Sequence, residues 1–296
     1  MKIVLKLMGG LGNQLFQLSY ALRLLELYNA DIIVVDLSYY QEHHLRKPEI
    51  TKLNIAHLPL CFVDKYESIK YNVSTKLFHS MQALSKRILG KKLDYLFPYL
   101  ANRGFFFTDC KVSNEPISIN RDELILWGYF QDINALCPKK VIKSILDLPN
   151  LDLIKYCNKV KEVSNSVAIS IRCGKDYVNN GYPIITRDFY LKAIDLIESN
   201  KGKSTYFVFS DDLEKALTLL PREFKYVVVK NESPIIDLLK MSYCNDFIIS
   251  NSSFSWWGAY LSDISPIKQV ICPKRWDSYT LTQNSHLLYE GCSIIE

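Results

Sequence analysis

Several short stretches of the sequence place residues capable of chemistry close together. Gly9-Gly10-Leu11-Gly12-Asn13-Gln14 is a glycine-rich turn. Without Cβ atoms, the N–H groups of such a turn can approach a phosphate or a sugar, although a plain tight turn needs the same residues. In SIRCGKDY, Arg172 ends an apolar run and is followed by Lys175 and Asp176. A cation at such a place is costly unless it meets an anion. A diphosphate would satisfy the guanidinium in a bidentate way, and a carboxylate such as Asp176 would also serve. FVFSDDL sets Ser210, Asp211 and Asp212 together. Paired carboxylates suit a metal-bound nucleotide, but the Asp-x-Asp spacing is absent. One of them can cap a helix while the other accepts hydrogen bonds from a base or ribose. ISNSSFSWWG offers Asn251, Ser252, Ser253 and Ser255 beside a helix start, which suits a phosphate or simple capping. Phe254, Trp256 and Trp257 can pack that helix or wall a base or sugar face. WGYFQD joins Trp127, Tyr129 and Phe130 to Gln131 and Asp132, a mixture used in sugar recognition and equally in cores.

The elements that must position these residues are readable as strands and helices. Lys2–Leu7 reads as a strand, Asn13–Tyr28 as a helix that Asn13 could cap, and 31–36 as a buried strand, a βαβ unit. A helix is expected near Thr75–Leu89, with strands at Phe105–Thr108 and Leu124–Phe130. From about residue 160 the alternation is regular. Strands are expected at Ser166–Arg172, Thr205–Ser210, Lys225–Val229, Asp246–Ser250 and Gln269–Cys272. Helices are expected at Arg187–Glu198, Leu213–Leu220, Pro234–Tyr243 and Ser253–Ser262. The expected fold class is α/β, two Rossmann-like domains facing a cleft, over residues 1–150 and 151–296. Ligands bind beyond the C-terminal strand ends of such sheets, which is where most of these motifs fall.

Composition narrows the classes further. A chain of 296 residues, 48% hydrophobic, has material for two ordinary cores. A net charge of +5 suits an anionic small substrate or a membrane surface better than nucleic acid. No CxxC pair or zinc-spaced Cys/His cluster occurs among the eight cysteines, so neither disulfides nor a metal are expected. No apolar run reaches the roughly 20 residues that span a bilayer, and a soluble, cytoplasmic protein is expected. Lys86-Arg87 and Lys91-Lys92 form a solvated helix face or a contact with the inner face of the cell membrane. The glycine turn is not a dinucleotide fingerprint: after Gly10 and Gly12 the third glycine is replaced by Leu15, which argues against an oxidoreductase.

Taken together, GGLGNQLFQ, IRCGKDY, FSDDL and ISNSSFSWWGAYLS closely resemble the α-1,2-fucosyltransferases, in particular bacterial members that build O-antigens and other surface glycans. WGYFQD also looks like a segment of that family. The resemblance implies a GT-B fold, inversion at the fucose carbon, and no metal or other cofactor. It implies that Arg172 binds the donor phosphate and that Gly10, Gly12, Asn13 and Gln14 lie near the diphosphate and fucose. Asp211 or Asp212 would approach the guanine or its ribose, beside Ser210. Asn251, Ser252, Ser253 and Phe254 would hold the nucleotide. The family motif H-x-R-R-x-D is altered here: Ser170 replaces the His, Cys173 replaces the second Arg, and Lys175 is inserted before Asp176.

These readings together predict transfer of L-fucose from GDP-fucose to O2 of a galactose-terminated, lipid-linked oligosaccharide. Trp127 and Tyr129 would meet the acceptor, and Asp176 would be the base, with His43, His44 and Asp36 as alternatives. The rival readings are a related GDP-sugar transferase with another linkage or donor, and a non-catalytic nucleotide- or sugar-binding protein.

Overall fold

The computed structural model describes residues 1–64, 80, 84, 97–107, 118–179, 181–222, 224, 226–265, 267–276, 279–281 and 285–296. The chain divides into two compact units, Met1–Asp147 and Leu148–Glu296.

In the first unit, β1 (Lys2–Lys6), β2 (Ile32–Asp36), β3 (Leu60–Val63), β4 (Phe105–Phe107) and β5 (Glu123–Trp127) form a sheet ordered β3-β2-β1-β5-β4. All its neighbours are parallel. A parallel sheet is covered on both faces, so its strands are continuous apolar runs rather than alternating ones. Ile3-Val4-Leu5 and Leu124-Ile125-Leu126 are buried accordingly.

After β1 the chain turns at Gly9 (φ +79°) into α1 (Leu11–Leu27), which buries Leu15, Phe16, Leu18 and Leu22. The N-cap is Gly10 in extended conformation, not Asn13 as the sequence suggested. The tight glycine turn starts the helix early: Gln14 N already bonds Gly10 O at 3.0 Å. Asn13 and Gly12 therefore both sit inside the first turn of α1. The strand expected through Phe130 stops at Trp127, because Phe130 adopts φ +51°, outside any extended conformation. Shorter elements complete the unit: α2 (Ser38–Glu42), a 3₁₀ turn (Glu49–Lys52), α3 (Phe97–Asn102) and α4 (Lys139–Ile145). Of the helix expected near Thr75–Leu89 only Ser80 and Leu84 are described, both helical; the basic run Lys86 to Lys92 and Thr108 lie outside the described residues.

The second unit opens with α5 (Leu151–Lys161), capped by Asn150 Oδ1 accepting from Leu153 N at 2.8 Å. Its sheet contains β6 (Ser166–Ile171), β7 (Thr205–Ser210), β8 (Tyr226–Val228), β9 (Asp246–Ile248), β10 (Val270–Pro273) and β13 (Cys292–Ile295). The order is β13-β10-β9-β6-β7-β8, with every pair parallel. Counted from β6, this is the Rossmann order 3-2-1-4-5-6. β13 was not anticipated; Cys292–Ile295 is short and is reached through Gly291 at φ +88°. β11 (Arg275–Trp276) and β12 (Tyr279–Thr280) form a separate antiparallel ribbon.

The crossovers are α6 (Lys175–Asn179), α7 (Arg187–Lys201), α8 (Leu213–Thr218), α9 (Pro234–Ser242) and α10 (Ser253–Leu261). Val167, Ile169 and Ile171 of β6 pack with Phe189, Ala193 and Ile197 of α7 in the main core cluster. The chain is thus built from two Rossmann-like α/β units, the GT-B fold class expected from its sequence.

Candidate active site

In a sheet of this order, strand direction reverses its spread between β6 and β9, and the crevice beyond their C-terminal ends is the favoured place for a ligand. β6 ends at Ile171, so Arg172-Cys173-Gly174 lies at that point; Ser250-Asn251-Ser252 follows β9 there. Ile171 is in register with Ser210 at the end of β7, which brings Asp211 alongside Arg172.

Arg172 is bracketed by carboxylates. Its Nη2 donates to Asp176 Oδ2 at 2.8 Å, and its Nη1 pairs with Asp211 Oδ2. The guanidinium also lies over the Tyr177 ring, 5.2 Å from its centroid. Asp211 accepts in addition from the backbone N–H groups of Cys173 and Gly174, each at 2.9 Å. Its carboxylate thus occupies a small anion-binding nest made by two successive N–H groups and a cation. Lys215, which the sequence reading passed over, braces the same loop by donating to Cys173 O at 3.2 Å. Its only sequence signal is its place in the first turn of the helix after the aspartates.

The two aspartates have separate tasks. Asp212 is the N-cap of α8, accepting from Lys215 N at 3.2 Å. Asp211 faces the Arg172 loop. Ser210 is buried, and its hydroxyl exchanges hydrogen bonds with Asp212 N and O at 3.1 Å each, so it holds the turn.

The altered motif positions point inward. Ser170, where the resembling family carries His, is buried with its Oγ 3.4 Å from Ser250 Oγ. Cys173, where that family carries a second Arg, is fully buried, with its Sγ 3.5 Å from Asp212 O. Burial pushes its thiol above the ordinary range. Lys175 is exposed at the start of α6.

Beyond β9, Asn251 is buried; its Nδ2 donates to Pro183 O at 3.0 Å, and its backbone O accepts from Tyr177 OH at 3.2 Å. Asn251 Oδ1 has no hydrogen-bond partner among the described residues. Ser252 is the extended N-cap residue of α10 and makes no side-chain capping bond among the described residues. Ser252, Ser253 and Phe254 are half-buried. Trp256 and Trp257 are buried instead of walling a ligand: Trp256 stacks on Tyr260 at 4.8 Å and donates to Leu287 O at 2.7 Å.

The glycine turn of the first unit is held by neutral amides. Gln14 is fully buried; its Nε2 donates to Gly9 O at 2.9 Å and Lys47 O at 2.7 Å, and its Oε1 accepts from Ile50 N at 3.1 Å. Both the N–H₂ and the oxygen of the amide are thus engaged inside the protein. Gln17, equally buried, pairs with Met8 N and Met8 O at 3.0 and 2.9 Å. Tyr40 OH adds a 2.9 Å bond to Gly9 O. A Cβ on Gly9 would crowd Asn13 and Tyr129, so the turn admits no other residue.

Asn13 is half-buried, and its Oδ1 accepts from Gln131 Nε2 at 2.9 Å, which joins the glycine turn to WGYFQD. Beside Gly10, the Arg46 side chain comes within 3.8 Å of where a Cβ would stand, at van der Waals contact. That cation over the turn was not singled out from the sequence. Gly12, inside the helix, does not shape the turn. Trp127 is half-buried at the end of β5, as is Tyr129 beyond it. Among the alternative bases, Asp36 is buried and committed to Lys6 Nζ at 2.6 Å and Ser38 N at 2.8 Å. His43 packs its ring 4.4 Å from Tyr39, and His44 is exposed.

Among the described residues no group of three or more His, Cys, Asp or Glu is placed to hold a metal ion. No helix among them is long and apolar enough to cross a membrane.

Comparison with known proteins agrees with this picture. The chain is 29% identical to the O-antigen biosynthesis glycosyltransferase WbnK of Escherichia coli, over 91% of this chain and 93% of that one. It is 27% identical to the alpha-1,2-colitosyltransferase of Escherichia coli, over 93% and 92% of the two chains. The crystal structure of the fucosyltransferase NodZ from Bradyrhizobium matches 88% of this chain and 92% of its own with a TM-score of 0.51; at 11% identity the likeness is one of fold. The model of glycosyl transferase family 11 matches residues 126–290, a span that holds the Arg172 loop, both aspartates and the start of α10. With more than half of its length matched in this way, the chain belongs to glycosyl transferase family 11.

Proposed function

We propose that this protein transfers L-fucose from GDP-β-L-fucose to O2 of a terminal galactoside, with inversion, in the synthesis of O-antigen or another surface polysaccharide. The observation that carries the reading is the placement of Arg172 and the Ser252 end of α10 together at the switch point of a Rossmann sheet. The names of the relatives support it: WbnK is an O-antigen glycosyltransferase, and the colitosyltransferase forms an alpha-1,2 linkage. NodZ, which shares the fold, has been crystallised with GDP.

Breaking the bond between fucose and GDP leaves negative charge on the diphosphate and makes the sugar oxocarbenium-like. Arg172 and the N–H groups opening α10 would stabilise that charge, with the Ser252 and Ser253 hydroxyls adding donors. Lys175, exposed beside Arg172 in sequence, would add positive potential, and Phe254 would line the nucleotide. Asn13 and the Gly10 turn would lie against the donor's sugar side, with Trp127 and Tyr129 meeting the acceptor. Asp176 would take the acceptor proton; when departure of GDP leads the reaction, only a weak base is required. No metal takes part in this scheme. The acceptor is a galactose-terminated, lipid-linked oligosaccharide at the inner face of the membrane.

Incubation with GDP-fucose, EDTA and a panel of β-galactosides tests the proposal, followed through GDP release and product linkage. An α-1,2-linked fucoside formed in EDTA is the expected outcome. The likeness to a colitosyltransferase favours one second reading, another GDP-linked deoxysugar as donor. Transfer from such a donor with GDP-fucose left intact would replace fucose in the proposal, and absence of GDP binding would overturn it.

A further inference from the structure

We propose that Asp211 is a positioning residue: it sets Arg172 and the loop after β6 for the donor diphosphate, acting through Arg172 and not on the nucleotide. The inference rests on the donor reading above and gives that site a part the sequence did not assign.

The argument begins with the strands. Ile171 and Ser210 are register partners, so the residues that follow them leave the sheet side by side. Asp211 uses both carboxylate oxygens across this gap. Oδ1 accepts from Cys173 N at 2.9 Å, while Oδ2 accepts from Gly174 N at 2.9 Å and pairs with Arg172 Nη1. One side chain just beyond β7 thereby fixes both the backbone of the loop and the direction of its guanidinium. Asp176 cannot do this, since it belongs to the loop's own continuation in α6 and moves with it. Gly174 completes the fit: a Cβ there would collide with the Asp211 carboxylate.

A long arginine side chain otherwise samples many rotamers, and ordering it during the reaction would raise the barrier. Donors held in place beforehand avoid that reorganisation. Only a carboxylate of this length serves. An asparagine would turn its N–H₂ group toward at least one of the three N–H donors, and a glutamate would add a methylene to a carboxylate already packed against Gly174.

Three measurements on the full chain test the idea with Asp211→Asn, Arg172→Ala and the double variant. Hydrogen exchange over residues 172–176 should be faster in Asp211→Asn than in the wild type. Calorimetry should show guanosine affinity unchanged. Fucose transfer should fall by on the order of 100-fold, with the double variant no slower than Arg172→Ala alone. Gly174→Ala, which displaces the carboxylate without removing it, should give the same exchange signature and serves if Asp211→Asn folds poorly. Unchanged exchange would overturn the proposal. So would weaker guanosine binding, which marks a direct base contact, or rate losses that multiply in the double variant. If the wild type ignores both GDP and GDP-fucose, the donor reading fails, and exchange still decides whether Asp211 holds the loop.

Discussion

The glycine turn of the first unit and the arginine loop of the second solve the same problem with different materials. Each follows the strand that opens its sheet, and each must hold irregular backbone still. The first does it with neutral amides that water does not reach: Gln14 and Gln17 satisfy backbone groups from Met8 to Ile50. The second does it with charge near the surface, where the Arg172 and Asp211 side chains keep 19% and 23% of their area exposed. Buried amides give rigidity whose loss is felt as instability, because each abandoned partner stays unsatisfied. Partly exposed charges give a local field, and their loss falls on binding and rate while stability changes little. The first turn is therefore scaffold with Asn13 at its edge, and the second loop is the one to which the proposed function assigns the chemistry.

Substitutions can break this contrast. Gln14→Leu strands Lys47 O and Ile50 N and leaves Gly9 O to Tyr40 alone, and should cost on the order of 3 kcal/mol of unfolding free energy, read by denaturant titration. A loss of activity at unchanged stability would instead place Gln14 in the site. Arg172→Ala should lower the transfer rate by on the order of 100-fold or more, about 3 kcal/mol of transition-state stabilisation, with a melting temperature within a few degrees of the parent. A large drop in melting temperature would make Arg172 structural and erase the distinction. Asp212→Ala removes only the cap of α8 and should cost about 1 kcal/mol of stability, leaving the rate nearly intact. A collapse of rate in that variant would return Asp212 to the nucleotide. The smallest expected effect is that of EDTA, which should leave transfer unchanged; inhibition reversed by added Mg²⁺ would overturn the metal-free scheme.

Where local chemistry decides, the sequence was legible. Apolar runs bounded by glycine or by charged ends marked β1, β2, β6 and β7, and the helical period marked α7 and α9. Ser233 before Pro234 is a start signal that works as written, its Oγ accepting from Ile236 N at 3.3 Å. Strands of three or four residues, such as β13, carry too little pattern to stand out and exist because a neighbouring strand offers an unpaired edge. The helix start at Leu11 was misplaced because Asn13 is a favoured cap residue by type, while the glycine turn before it decides where helical bonding begins.

From residue types and their family resemblance came the expectation that a guanidinium and a serine-rich helix start would meet a donor phosphate, with the adjacent carboxylates near its base or ribose. The tertiary structure decided how those groups divide the work. Gln14 and Asp211 read alike in the sequence, as polar residues in promising loops. One is buried among backbone groups and the other faces an arginine on the next strand. A polar side chain takes its role from the partners within hydrogen-bond reach. Those partners come from other strands and turns, and strand register and burial, which composition does not encode, bring them there.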